Sequence, residues 1–415
     1  MKTIASDDWL TRDRCVRIAV ICGLVSIAIL AFLFASARGT LDWQGRPLGT
    51  DFSQVWTAGT MVLDGRAAEV WNWDAHFAVQ EQFHGPQLRE LYGWHYPPPF
   101  LLIAAALATL PYLAALFVWQ AATLIPFAWV MRRFTGRPEA WLFVLAAPVS
   151  LICIMHGHNG FLTALLLGGG LILLERRPFA AGLLLGCLVY KPQFALILPL
   201  LLLVLWNWRA IVGAAASSLA LIATTLAIWG WPVWQAFVDS LPLTRSIVIE
   251  QGRTGWEKIM SPFSAVRSWG GSVEVAYAVQ GAFTLAAIAV TLWLARKARP
   301  DLRNAAVTAA VLISTPYVLD YDFVVLLAGI AFLWRDAERH GWLPWEKSAL
   351  ALVWLAPLIA RNLAALTLFP LGLLAAMLVL VLAVRRATQV RSGGSCVSKD
   401  RRPARSKSAP SVLSR

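Results

Sequence analysis

Residues 18–34 read IAVICGLVSIAILAFLF, an uncharged run entered through Arg12, Arg14 and Arg17. Its length approaches the ~20 apolar residues that a helix needs to cross a bilayer core. It is too long for the core of a signal peptide, and Ala35-Ser36-Ala37 is only a weak cleavage-like patch. The expectation is a first spanning helix that stays with the chain. Apolar runs of similar character recur outward from here to residue 384. The 415 residues are 58% hydrophobic and 14% charged, with mean hydropathy +0.62, against about 25% charge in an ordinary soluble domain. The fold class that follows is an all-α polytopic membrane protein.

The net charge of +13 does not point to nucleic acid, because of where it sits. Residues 385–415 hold nine Lys/Arg against the single Asp400. That stretch reads as a disordered cytoplasmic tail facing anionic lipid, and residues 1–384 as one membrane domain. The five cysteines include no CxxC pair, so neither a zinc site nor a disulfide framework is expected.

Basic clusters mark the cytoplasmic side. They are Arg12/Arg14/Arg17, Arg132/Arg133/Arg137, Arg176-Arg177, Arg209, Arg296/Lys297/Arg299/Arg303, Arg335/Arg339 and Arg385/Arg386. Placing all of them inside gives about twelve crossings, at 17–36, 112–131, 140–155, 160–174, 179–190, 193–206, 210–229, 273–295, 304–319, 322–334, 347–367 and 370–384. Both termini are then cytoplasmic. Residues 97–110, PPPFLLIAAALATL, are apolar but short and end at Pro111. A crossing here would reverse every later cluster, so this segment is expected to be a re-entrant or interfacial helix.

Two long outer loops result, 37–96 and 230–272. In the first, TDFSQVWTAG (50–59) opens an amphipathic segment with Val55, Trp56, Val62 and Leu63 at near-helical spacing, expected to lie along the membrane surface. Asp51 stands at its head. Asp51-x-x-Gln54 fits a capping box, and a catalytic base held at the membrane surface would look the same. Many of the 21 tryptophans fall in these loops, as an interfacial aromatic belt requires, with stacking on a sugar ring as the sharper alternative.

The unusual polar residues share the outer side in this topology. They are Asp51, His95, Tyr96, His156, His158, Asn159, Tyr190, Lys191, Gln193, Asp320, Tyr321 and Asp322. Ionisable groups beside spanning helices are costly to keep and mark functional sites. Lys191, in LVYKPQF, is either a snorkelling lysine or a cation for a lipid phosphate. Arg245, Arg253, Lys258 and Arg267 lie in the second outer loop, against the positive-inside trend, as a solvated loop or a phosphate clamp. Asp320-x-Asp322 resembles the metal-holding carboxylate pair of soluble nucleotide-sugar transferases, but a hydrogen-bonding role is preferred. No metal or other cofactor is expected, with a divalent ion as the minor alternative.

Four segments in series, TDFSQVWTAGTMVLDGRAAEVW, HYPPPFLLIAAALATLP, HGHNGFLTALLLGGGLILLERRPFAAGLLLGCLVYKPQF and TPYVLDYDFVVL, resemble glycosyltransferase family 87, from about residue 45 to 335. Its members belong to the GT-C superfamily of membrane transferases and include polyprenyl-phosphate-mannose-dependent mannosyltransferases. The resemblance implies a GT-C-like fold and transfer of a hexose, with mannose favoured, from a polyprenyl-phosphate donor to a lipid or glycan acceptor. Transfer would invert the sugar at the extracytoplasmic face of the plasma (inner) membrane. It also implies that Asp51, in the first outer loop, is the base. The chain departs from the phosphatidylinositol-mannoside branch at Leu319-Asp320-Tyr321-Asp322, where that branch carries histidines after a Ser-Trp pair. The rival reading is a transporter or flippase of lipid-linked sugars, with Lys191, Asp320 and Asp322 as a midplane site.

Overall fold

The computed structural model describes residues 6–394. Helices carry the architecture, and among the described residues strand-like pairing is confined to isolated bridges, one of them Ile259 with Leu319. Five helices are long and apolar enough to cross a membrane: Arg12–Ala35, Tyr112–Thr135, Trp208–Glu250, Val273–Lys297 and Leu371–Gln389. The pair Glu346–Leu355 and Pro357–Thr367, bent by 70°, makes a sixth if it counts as one span.

The other expected crossings are short or broken. Residues 140–155 divide at Pro148 into Ala140–Leu145 and Pro148–His156. Pro178–Gly186 and Leu198–Val204 are separated by two 3₁₀ turns around Lys191-Pro192. Gly160–Leu173 and Pro300–Ile313 have 14 residues each and Val325–His340 has 16. At 1.5 Å per residue these reach roughly 21–24 Å, short of a ~30 Å core. Twelve crossings therefore do not follow from helix length and composition. Prolines open several of these pieces, at Pro148, Pro178, Pro192 and Pro300, where a missing N–H would interrupt a continuous helix. Trp208–Thr244 errs the other way: its 37 residues would span ~55 Å, and it kinks at Gly230 (φ 72), two residues before Pro232.

Residues 97–110 do form a short helix, Pro98–Ala108, about half a bilayer core long. It covers the helix Thr50–Leu63, which corrects the expected surface position of that helix. Phe52, Ser53, Gln54, Val55, Thr57, Ala58, Gly59 and Met61 are all buried. The small residues allow this, since a Cβ on Gly59 would stand 2.0 Å from the Ala104 carbonyl oxygen. Tryptophans divide likewise: Trp71 and Trp94 are core, whereas Trp43 and Trp231 are exposed.

The helices separate two ends of the molecule. At one end the basic clusters find acids: Arg12 with Glu139, Arg137 with Glu338, Arg299 and Arg386 with Asp336, Arg386 with Glu346, Arg335 with Asp301 and Arg303 with Glu175. The Asp51 region lies at the other. Tyr112–Thr135 joins them, because the Tyr112 hydroxyl donates to the Leu48 carbonyl at 2.7 Å while Arg137 reaches Glu338 beyond its far end. A largely apolar cavity of about 390 Å³, lined by Cys15, Phe143, Trp334 and Trp354 among others, opens at the basic end and contains no candidate site residue. The last helix runs Leu371–Gly394, so residues 385–394 of the expected tail are helical. Its remainder lies outside the described residues.

Candidate active site

Asp51 is the second residue of its helix, and the N-cap is Gly49 at φ 72, with no side-chain cap. The capping-box reading is thereby corrected: the left-handed glycine turns the chain into the helix, and the Asp51 carboxylate is left for other work. Gly49 also permits a close crossing. A Cβ on Gly157, itself at φ 60, would lie 3.3 Å from the Gly49 Cα and 2.6 Å from the Phe52 Cβ. This contact of two glycines brings the start of the Asp51 helix against the end of Pro148–His156. Thr50 Oγ1 and His156 Nδ1 are hydrogen bonded at 2.6 Å. On the other flank His84 braces the helix, with Nε2 at 2.9 Å from Ser53 Oγ and Nδ1 at 2.7 Å from Thr40 Oγ1.

One oxygen of the Asp51 carboxyl, Oδ2, is buried without a hydrogen-bond partner. Burial pushes the carboxyl up to about 7. A Tyr321 hydrogen bond and the positive charges of Lys258 and Arg361 oppose that rise, and the Asp320 carboxylate adds to it. A group ionising near neutrality is suited to accept a proton in a reaction at pH 7.

Around Asp51 the segment 319–322 supplies the floor. Asp320 N–H donates to the Lys258 carbonyl at 3.1 Å, and Met260 N–H to the Val318 carbonyl at 2.8 Å, which ties the second outer loop to this segment. The Tyr321 ring stacks on His158 with centroids 3.6 Å apart and meets His156 at 5.3 Å. His158 Nε2 lies 3.2 Å from the Tyr96 hydroxyl. Asn159 is buried beside them, with both amide atoms unpartnered.

The two acids of 320–322 do not face each other's ligand. Asp322 accepts from Lys191 Nζ at 2.6 Å and from the Leu319 N–H at 3.0 Å. Asp320 Oδ2 lies 2.6 Å from Arg361 Nη2, an ion-pair contact whose angles do not make a hydrogen bond. Each carboxylate thus has its own cation. Among the described residues no group of three or more His, Cys, Asp and Glu is placed to hold a metal.

Several candidates stand apart. Arg245 is exposed and pairs with Glu250 at 2.7 Å, and Arg253 is exposed. Of the basic residues of the second outer loop, Lys258 is the one whose charge acts on Asp51. Arg267 donates to the Gly271 and Glu250 carbonyls. His95 turns to Thr244, with Nδ1 at 3.2 Å from Oγ1, and burial lowers its imidazole to about 4, so it is neutral at pH 7. Gln193 is half-buried on the turn after Lys191, without a hydrogen bond to either carboxylate.

Arg361 joins the site without having been singled out in the sequence. Arg361 did carry a signal: it is the one charged residue between Lys347 and Arg385, the kind of intramembrane ionisable group that marks function. Tyr321 belongs to the polar residues that the sequence groups on the outer side, but nothing local assigns its ring to His158.

Residues 94–316 match the family model of glycosyltransferase family 87. Comparisons with curated proteins and with solved structures gave no match. The matched segment holds His95, Tyr96, His156, His158, Asn159, Lys191, Gln193 and Lys258, while Asp51, Asp320, Asp322 and Arg361 lie outside it.

Proposed function

The chain belongs to glycosyltransferase family 87, and from that premise we propose that it transfers a hexose, mannose favoured, from a polyprenyl-phosphate donor to a lipid or glycan acceptor. The reaction inverts the anomeric carbon, takes place at the extracytoplasmic face of the plasma (inner) membrane, and uses Asp51 as general base.

The observation that carries this reading is the Asp51 carboxyl: half-buried, with one oxygen unpartnered, and set beside the cations Lys258 and Arg361. A sugar hydroxyl is a poor nucleophile because its pKa lies far above 7. A positioned carboxylate that takes its proton in the transition state contributes ~10²–10⁴ in rate. The departing phosphate needs no proton if positive charge meets it. The positive-inside rule supports this sidedness, because the basic clusters collect at the end opposite Asp51.

The test uses purified protein in liposomes with radiolabelled polyprenyl-phosphate mannose. Label passing to a new acceptor supports the reading, and its loss in Asp51→Asn supports the base. Label that only crosses the bilayer would make the protein a carrier.

A further inference from the structure

Arg361 lies on Pro357–Thr367, the second arm of the helix pair bent by 70°. Its guanidinium is only partly engaged. Nη2 lies 2.6 Å from Asp320 Oδ2 and 3.2 Å from His156 Nε2, while Nε is buried with no partner. A guanidinium has five N–H donors in a rigid fork, and with Nη2 engaged the N–H groups of Nη1, on a side chain 30% exposed, remain for an oxygen of an anion. Asp320 is itself fixed, with Oδ1 accepting from the Tyr321 N–H at 2.9 Å. It orients the arginine.

Nearby cations are placed differently: Lys191 is buried against Asp322, and Arg245 is exposed beside Glu250. The Lys258 ammonium, left without an ion pair among the described residues, acts on the same group of residues, Asp51, Asp320 and His156. His156 connects the two sides, with Nε2 toward Arg361 and Nδ1 on Thr50, the residue before Asp51.

We propose that Arg361, oriented by Asp320 and assisted by Lys258, is the residue that grips the phosphate of the lipid-linked donor as it leaves. This rests on the transferase reading above. In that reaction the acceptor oxygen bonds to the anomeric carbon as the bond from that carbon to the phosphate oxygen breaks. The acceptor proton goes to Asp51, and the phosphate leaves with the electron pair. A phosphodiester with one negative charge thus becomes a phosphomonoester with two. A cation placed there binds the developing product more strongly than the donor, which lowers the barrier instead of merely tightening binding. The His156–Thr50 link holds that cation in register with the base on the opposite side of the reacting carbon.

The experiment measures binding of a short-chain polyprenyl monophosphate, and of the matching polyprenol without phosphate, to the purified full-length protein. Sugar transfer is measured in parallel. Arg361→Gln is expected to weaken monophosphate binding at least tenfold with polyprenol binding unchanged. It should also lower kcat more than it raises the donor KM, and Arg361→Lys should recover part of both. Because Arg361→Gln leaves Asp320 unpaired, the double variant Asp320→Asn/Arg361→Gln supplies the same test in a fold without that orphan charge. Wild-type monophosphate affinity in a folded Arg361→Gln or double variant overturns the assignment while transfer by the wild type leaves the transferase reading standing. Equal loss of monophosphate and polyprenol binding also overturns it, as a purely structural role would. A wild type that neither binds the monophosphate nor transfers sugar overturns both.

Discussion

Lys191 and Asp322 are 131 residues apart in the chain, yet their side chains meet at 2.6 Å, both buried. The pair closes the floor of the site, with the Lys191 ammonium also 4.9 Å from the Phe194 ring and His158 Nδ1 4.0 Å from the same carboxylate. It removes Lys191 from the set of cations free to meet a phosphate. The lysine that looked like a ligand is a tie between the 187–195 turns and the segment 319–322.

That tie predicts an asymmetric response to mutation. Lys191→Met or Asp322→Asn alone strands a partner inside the protein and is expected to cost about 3–5 kcal/mol. Lys191→Met/Asp322→Asn removes both charges and should recover most of the loss. Unfolding midpoints in detergent for the two singles and the double decide this; additive losses in the double would show that the residues act independently.

Asp51→Asn is expected to fold and to lose transfer by ~10²–10⁴. Its stability should move the other way. The folded carboxyl, at about 7 against an ordinary 3.8, holds a proton that the unfolded chain gives up, so wild-type stability falls as pH rises from about 4 to 7. Asparagine lacks that penalty, and at pH 8 the variant should be more stable by on the order of 1–3 kcal/mol. Equal melting below about pH 4 and a gap that opens from there to pH 8 is the expected pattern.

The same group shapes the pH profile. Asp51 works as a base only when ionised, so kcat/KM should rise about tenfold per pH unit below about 7 and level off above it. A flat profile from pH 5 to pH 8 under the same saturating acceptor would remove Asp51 from the proton transfer.

Gly157→Ala tests the contact that places Asp51. The new methyl would enter a left-handed backbone and stand 2.6 Å from the Phe52 Cβ, which is backbone-adjacent and cannot swing away. A loss of about 1–3 kcal/mol is expected. Transfer should fall further than stability alone explains, because His156 would be pushed from Thr50. Transfer per folded molecule is the quantity to compare.

Sidedness is checked by labelling. In a cysteine-free background, Asp64→Cys in the first loop should react with an impermeant maleimide in intact cells, and Arg339→Cys should react only after permeabilisation. Both positions are exposed. The reverse pattern would place Asp51 in the cytosol and end the extracytoplasmic assignment.

Hydropathy alone was enough to read the membrane class and the shortness of residues 97–110, because burial in lipid leaves a length and composition trace along the chain. The family segments added the reaction class. Helix count was less legible: Pro148 and the Lys191-Pro192 turns break apolar runs that look continuous on a hydropathy scale, which does not register a missing N–H.

Sequence by itself determined that this chain lives in a bilayer and keeps ionisable groups there at a cost. Which cation meets which acid was decided only by the tertiary structure. Lys191 goes to Asp322, Arg361 to Asp320 and Arg245 to Glu250, and Asp51 is left with an unpartnered oxygen. The reason is physical: in a low-dielectric interior a charge takes the opposite charge that folding brings within a few ångströms, and those partners come from distant segments that no local pattern connects.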